Sequence, residues 1–126
     1  MRRAQIVLVV LVACARPQTP REMVRPAMQW TTVLQFTGER WMAEAVPASI
    51  VRSIVADADK TIDKTAVRVM DSNVPRDERA EIGRALEIAR DAAADLRDAA
   101  ERGDRAAAAS AITRFAAAHA RLQQVR

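Results

Sequence analysis

The sequence predicts an all-α protein, a small antiparallel up-down bundle of three to four helices. Three observations carry that reading. Half of the 126 residues are apolar, yet Ala supplies much of that half, aromatics make up 3%, and Tyr is absent. Ala loses no side-chain entropy on entering a helix, and Arg and Glu lose little. Apolar residues then recur every three or four positions, the spacing of one helix face. Finally, the β-branched runs that a sheet would need are missing after residue 70. A chain of this length is one domain at most, long enough for a modest core.

The N-terminus departs from this pattern. Residues 1–13 open on Arg2-Arg3, continue through an apolar stretch, and end on small residues, the layout of an export signal. The stretch is shorter than the roughly 20 residues a membrane-spanning helix requires. It closes on Leu11-Val12-Ala13-Cys14, and Cys14 is the only cysteine. The tetrad resembles the lipobox of bacterial lipoproteins: Leu, a small or β-branched residue, Ala or Gly, then Cys. The resemblance implies that the first thirteen residues are removed and that Cys14 is lipidated. It further implies a protein anchored in the bacterial cell envelope and facing the periplasm, with Ala15 favouring the outer membrane. Residues 14–20 then read as the lipidated Cys and a tether, because Pro17 and Pro20 discourage helix. Residues 21–126 are left for the bundle.

Four helical segments can be drawn there. The first runs from about Met23 to Ala45, with Met23, Ala27, Trp30, Leu34, Trp41 and Ala45 on one stripe. Pro26 suits only a first turn, and Gly38 leaves open whether this is one helix or two. The second runs from Pro47 to near Ser72 and buries Val51, Ile54, Val55, Ala58, Ile62, Ala66, Val69 and Met70. Asp57, Lys60, Asp63, Lys64 and Arg68 fall on its solvated side. Asn73 is a candidate cap for the third helix, which has Pro75 in its first turn. That helix runs to Arg102 along a heptad-like seam of Ile82, Leu86, Ala89, Ala93, Leu96 and Ala100. Gly103 is placed to end it in a left-handed conformation. Asp104 caps the fourth, whose stripe is Ala108, Ile112, Phe115, His119 and Leu122, flanked by Ala111, Ala118 and Val125. Its two-residue connection to the third helix makes that pair antiparallel.

Composition excludes more functions than it suggests. The chain has 20 basic and 16 acidic residues; without Arg2 and Arg3 the count is 18 against 16, or +2. Opposite charges alternate along the helices, whereas nucleic-acid binding calls for Lys and Arg clustered on one face. No nucleic-acid partner is expected. One Cys and one His give no metal-ligand spacing, and no nucleophile, phosphate-loop or acid–base constellation appears. Neither catalytic residues nor a metal are expected, and the chain does not read as an enzyme. The Ala-rich seams of the last two helices bury little area, so a partner helix, from a second copy or another protein, would add burial.

One residue invites chemistry. His119, the only histidine, falls on an apolar stripe, where a neutral imidazole suits haem iron. The layout of residues 21–126 is similar to that of the four-helix cytochromes, cytochrome c prime and its haem-b relatives. The similarity rests on helix order, the Gly103-Asp104 turn, and Phe115-Ala-Ala-Ala-His119 near the C-terminus. It implies His119 as an axial ligand, with Met23 or Met28 opposite. Met23 shares the stripe, whereas Met28 points about 140° away from it at ~100° per residue. Phe115 and Ala118 stand where covalent attachment needs cysteines, so only a non-covalent haem b would be held. The leading expectation needs no cofactor: a lipid-anchored envelope protein with a non-enzymatic binding or structural role. The alternative is a haem-binding electron carrier using His119.

Overall fold

A computed structural model describes residues 17–126. The lipobox and Cys14 lie outside the described residues. Four helices follow in order: α1 (Pro20–Met42), α2 (Ala48–Met70), α3 (Arg76–Arg102) and α4 (Arg105–Gln123). Each packs on its neighbours in the chain, α4 closes the ring on α1, and α1 also meets α3 across the middle. Contacts between their ends set the directions. Arg52, early in α2, pairs with Glu101 at the end of α3, and Arg105, at the start of α4, donates to the Met42 carbonyl at the end of α1. The fold is the small all-α antiparallel bundle that the sequence predicts.

Local chemistry sets the boundaries. Helix α1 begins three residues before Met23 because Thr19 caps it: the Glu22 N–H donates to Thr19 Oγ1 at 3.2 Å, and Pro20 takes the first position. Thr19-Pro20-Arg21-Glu22 is thus the Thr-x-x-Glu signature of a helix start. Pro26 therefore lies inside the helix rather than in its first turn. It deprives the Glu22 carbonyl of its usual donor, a loss set against the cap and the burial of Val24 and Ala27. Helix α1 is one piece through Gly38. An added Cβ there would stand 2.8 Å from Ile112 Cγ1, so the glycine is what lets α1 approach α4.

The other ends follow a mixture of devices. Helix α1 closes with the Glu44 N–H donating to the Trp41 carbonyl and the Ala45 N–H to that of Arg40, both at 2.9 Å. This Schellman closure needs a left-handed residue, and here it is Glu44, at φ 59°. Gly103 fills the corresponding place after α3, at φ 70°. The Asp104 side chain caps α4 by accepting from the Ala107 N–H at 3.0 Å. Asn73, by contrast, caps nothing: Pro75 occupies the N-cap of α3, and Ser72 supplies the local bonds, donating to the Val69 carbonyl and accepting from the Val74 N–H.

The core divides into two apolar clusters along the bundle. One joins Val24, Ile62, Val69, Ile82, Leu86 and Leu122 at the end where α1 begins. The other joins Leu34, Val51, Val55, Leu96 and Phe115 toward the opposite end. The α3 seam is buried as expected, widened by Ala85, Ala92 and Ala99. Other stripes are displaced by a residue. Val24 rather than Met23 is buried, Trp30, Trp41 and Ile112 are half-buried, Ala45 lies beyond the helix, and Met70 is 63% exposed. Thr31, Thr37 and Thr65 take core positions instead; each hydroxyl donates to a carbonyl three or four residues back. That bond removes the penalty of burying it.

Candidate functional site

Of the surface grooves in the half of the bundle where α1 begins, two are lined by the expected residues His119, Met28 and Met23. The smaller is built around His119. Antiparallel packing brings the last turns of α4 alongside the first turns of α1, so His119 meets Met28 and Thr31. The Thr31 hydroxyl donates to the Met28 carbonyl at 2.6 Å. His119 Nδ1 lies 2.9 Å from Thr31 Oγ1 and 3.2 Å from the same carbonyl. A carbonyl only accepts, so a hydrogen bond to it is made by the Nδ1–H tautomer, in which Nε2 is the nitrogen with the lone pair. A backbone carbonyl fixing the Nδ1–H tautomer is the arrangement that orients histidines acting through Nε2.

Around His119 the surface opens into a shallow groove of about 260 Å³, lined by Arg21, Arg25, Met28, Gln29 and Thr32. Arg21 and Arg25 are one turn apart and form no ion pair among the described residues. Of the sequence-expected pair, Met28 shares this groove with His119, whereas Met23 lines the other one. His119 and Met28 suit a haem in ligand type. Space does not suit it: small-molecule sites occupy ~300–1,000 Å³, and the groove is smaller and open. A haem b would require α1 and α4 to part beside fully buried Leu122 and Ala118.

The larger groove, about 1090 Å³, lies between the start of α1, the last turns of α2 and the α2–α3 connection. Pro17, Pro20, Met23, Val67 and Val74 make its apolar surface; Lys64, Arg68, Asp63 and Asp71 lie among them. Arg68 Nη1 donates to Gln18 Oε1 at 3.2 Å, holding the segment before α1 against α2. Val67 is 61% exposed, and Met70, one turn on, is equally open. Sequence reading missed this groove. Its walls come from segments far apart in the chain, residues 17–23 and 63–75, so no single stripe marks it.

The charged faces are solvated and partly cross-linked. Arg90 pairs with Asp63 between α3 and α2, and Arg114 Nη2 lies 2.6 Å from Asp95 between α4 and α3. Exposed pairs of this kind contribute about 0–1 kcal/mol each. Asp59 is different: Oδ1 is buried without a hydrogen-bond partner among the described residues. Burial pushes its carboxyl above the usual 3.8, reinforced by Asp63 and opposed by Arg90 and Arg97. Among the described residues no cluster of His, Cys, Asp or Glu could hold a metal ion. Nor is any described helix long and apolar enough to cross a membrane.

Fold and grooves together define a class, a closed four-helix bundle whose largest groove lies at the end where α1 begins, with a second of about 500 Å³ at the opposite end between Trp41, Pro47 and Arg105. Compared with known proteins, the chain matches no family model, no curated sequence and no solved structure.

Proposed function

We propose that this is a lipid-anchored protein of the bacterial cell envelope with a non-enzymatic binding or structural role, held to the membrane through Cys14. The observation that carries the reading is Leu11-Val12-Ala13-Cys14 closing a short apolar segment just before a folded domain. Helix α1 starts at Pro20, so only five residues separate Cys14 from the bundle, which would stand close to the bilayer. The end bearing the larger groove is the end that faces the membrane on this reading. Metabolic labelling with a fatty acid tests it. The chain should incorporate label and fractionate with membranes, and Cys14→Ser should lose both; unchanged labelling refutes the proposal.

A second reading draws on the His119 tautomer, which leaves Nε2 free to bind iron. It makes the protein a haem-b electron carrier with Met28 opposite, and the lack of space weighs against it. Haemin added to the chain lacking residues 1–14 decides between the two. A Soret shift lost in His119→Ala supports haem, and no shift, or one that survives the substitution, removes it.

A further inference from the structure

We propose that the larger groove is a binding site for a fatty acyl chain, and that its occupant is one of the chains carried by Cys14. This rests on the lipoprotein reading above. The groove has a volume of about 1090 Å³, just above the ~300–1,000 Å³ typical of small-molecule sites. Its surface is mainly apolar, supplied by Pro17, Pro20, Met23, Val67 and Val74. Transfer of each methylene from water onto such a surface is favourable, without need of directional contacts. A long hydrocarbon suits a site of this kind better than a polar metabolite does, because its polar lining residues Gln18, Lys64, Arg68, Asp71 and Asn73 are exposed rather than buried donors aimed at a ligand.

Chain connectivity selects the occupant. Pro17 and Gln18 belong to the wall, and Arg68 clamps Gln18 onto α2. Cys14 precedes Pro17 by three residues, and three extended residues reach at most about 11 Å. Any hydrocarbon on the Cys14 sulfur is therefore tethered within reach of the groove, and a ligand tethered so closely acts at millimolar effective concentration. A chain held in the groove is withheld from the bilayer. The remaining acyl chains anchor the protein, and membrane affinity becomes dependent on whether the groove is filled.

The test uses the full exported chain, purified in detergent, with intact mass read first. Acylation consumes the Cys14 sulfur, so Val67→Cys then supplies the sole free thiol, at a position exposed in the bundle. Its rate of modification by a water-soluble maleimide is compared with that of the same variant in residues 15–126, which carry no lipid. Gln124→Cys, exposed at the same end of the bundle just after α4, is the reference for coverage by the micelle. Acylation should slow Val67→Cys by about tenfold or more, as expected for a tethered occupant, while leaving Gln124→Cys nearly unchanged. Equal rates at Val67→Cys with and without lipid overturn the inference and leave the lipoprotein reading intact. Equal slowing at both positions also overturns it, because the micelle rather than a seated chain then covers that end. A mass without acyl groups removes the lipoprotein reading and the inference together.

Discussion

Two glycines within helices make opposite demands, and replacing each by alanine tests the close packing of α1 against α4. Gly83 is exposed in α3, and a Cβ there meets nothing within 4 Å. Gly83→Ala should therefore gain the full helix-propensity difference, about 1 kcal/mol. The same gain is available at Gly38, but the new Cβ would lie 2.8 Å from Ile112 Cγ1, 3.1 Å from Cδ1 and 3.4 Å from Leu96 Cδ1. Ile112 must leave its rotamer or α4 must shift, and overpacking of this kind costs about 1–3 kcal/mol. The net for Gly38→Ala runs from about zero to a loss of about 2 kcal/mol. At roughly 4 °C per kcal/mol for a domain of this size, thermal unfolding followed by circular dichroism separates the two variants. In an Ile112→Ala background the clash is gone, and Gly38→Ala should stabilise by about as much as Gly83→Ala does. If Gly38→Ala alone raises the midpoint as far as Gly83→Ala, the close approach of α1 and α4 is wrong.

Three further outcomes follow from the helix ends and the buried carboxyl. Glu44→Gly should stabilise by about 1 kcal/mol, since a side chain at φ 59° carries a steric cost that glycine lacks; urea unfolding with an unchanged slope would read it. Gly103→Ala should lose about as much for the converse reason, its φ being 70°, and a neutral result would contradict the turn geometry. Asp59→Asn should raise the unfolding temperature at neutral pH. Because the folded-state carboxyl binds its proton more tightly than in the unfolded chain, stability falls as pH rises from 3.8 through the raised value. The gain from Asp59→Asn should therefore vanish near and below pH 3.8, and a gain constant across that range would refute it.

Fold class was legible because the signals that specify it are local and repeated. The α3 seam from Ile82 to Ala100 is unbroken, and every residue of it is buried. The Gly103-Asp104 junction combines a left-handed stop with a side-chain cap, and both operate. Errors gathered in α1 and at the edges of stripes, where periodicity underdetermines which residue faces inward. A helix face accepts small hydroxyl residues that bond their own backbone, so Thr31 and Thr65 entered the core while Met23 and Met70 moved outward. Hydropathy ranks the methionines as core and the threonines as surface; satisfying the hydroxyl locally reverses that order. The α1 start was misplaced for a simpler reason: two prolines hid the Thr19-x-x-Glu22 signature.

The site was legible only in part, because its meaning depends on pairing between segments far apart in sequence. His119 stood out as the sole histidine on an apolar stripe, yet its partners, Thr31 and the Met28 carbonyl, lie 88 and 91 residues away. A backbone carbonyl leaves no trace in the sequence, although it is what faces Nδ1 of the ring. The same packing that places His119 in its groove also fills the interior behind it, with Ala118 and Leu122 fully buried on either side of the ring in sequence. A bundle closed in this way can use His119 at its surface without opening its core. For an interior cofactor, the buried residues of α1 and α4 would first have to separate. The larger groove needs no such opening, because its apolar walls already face solvent.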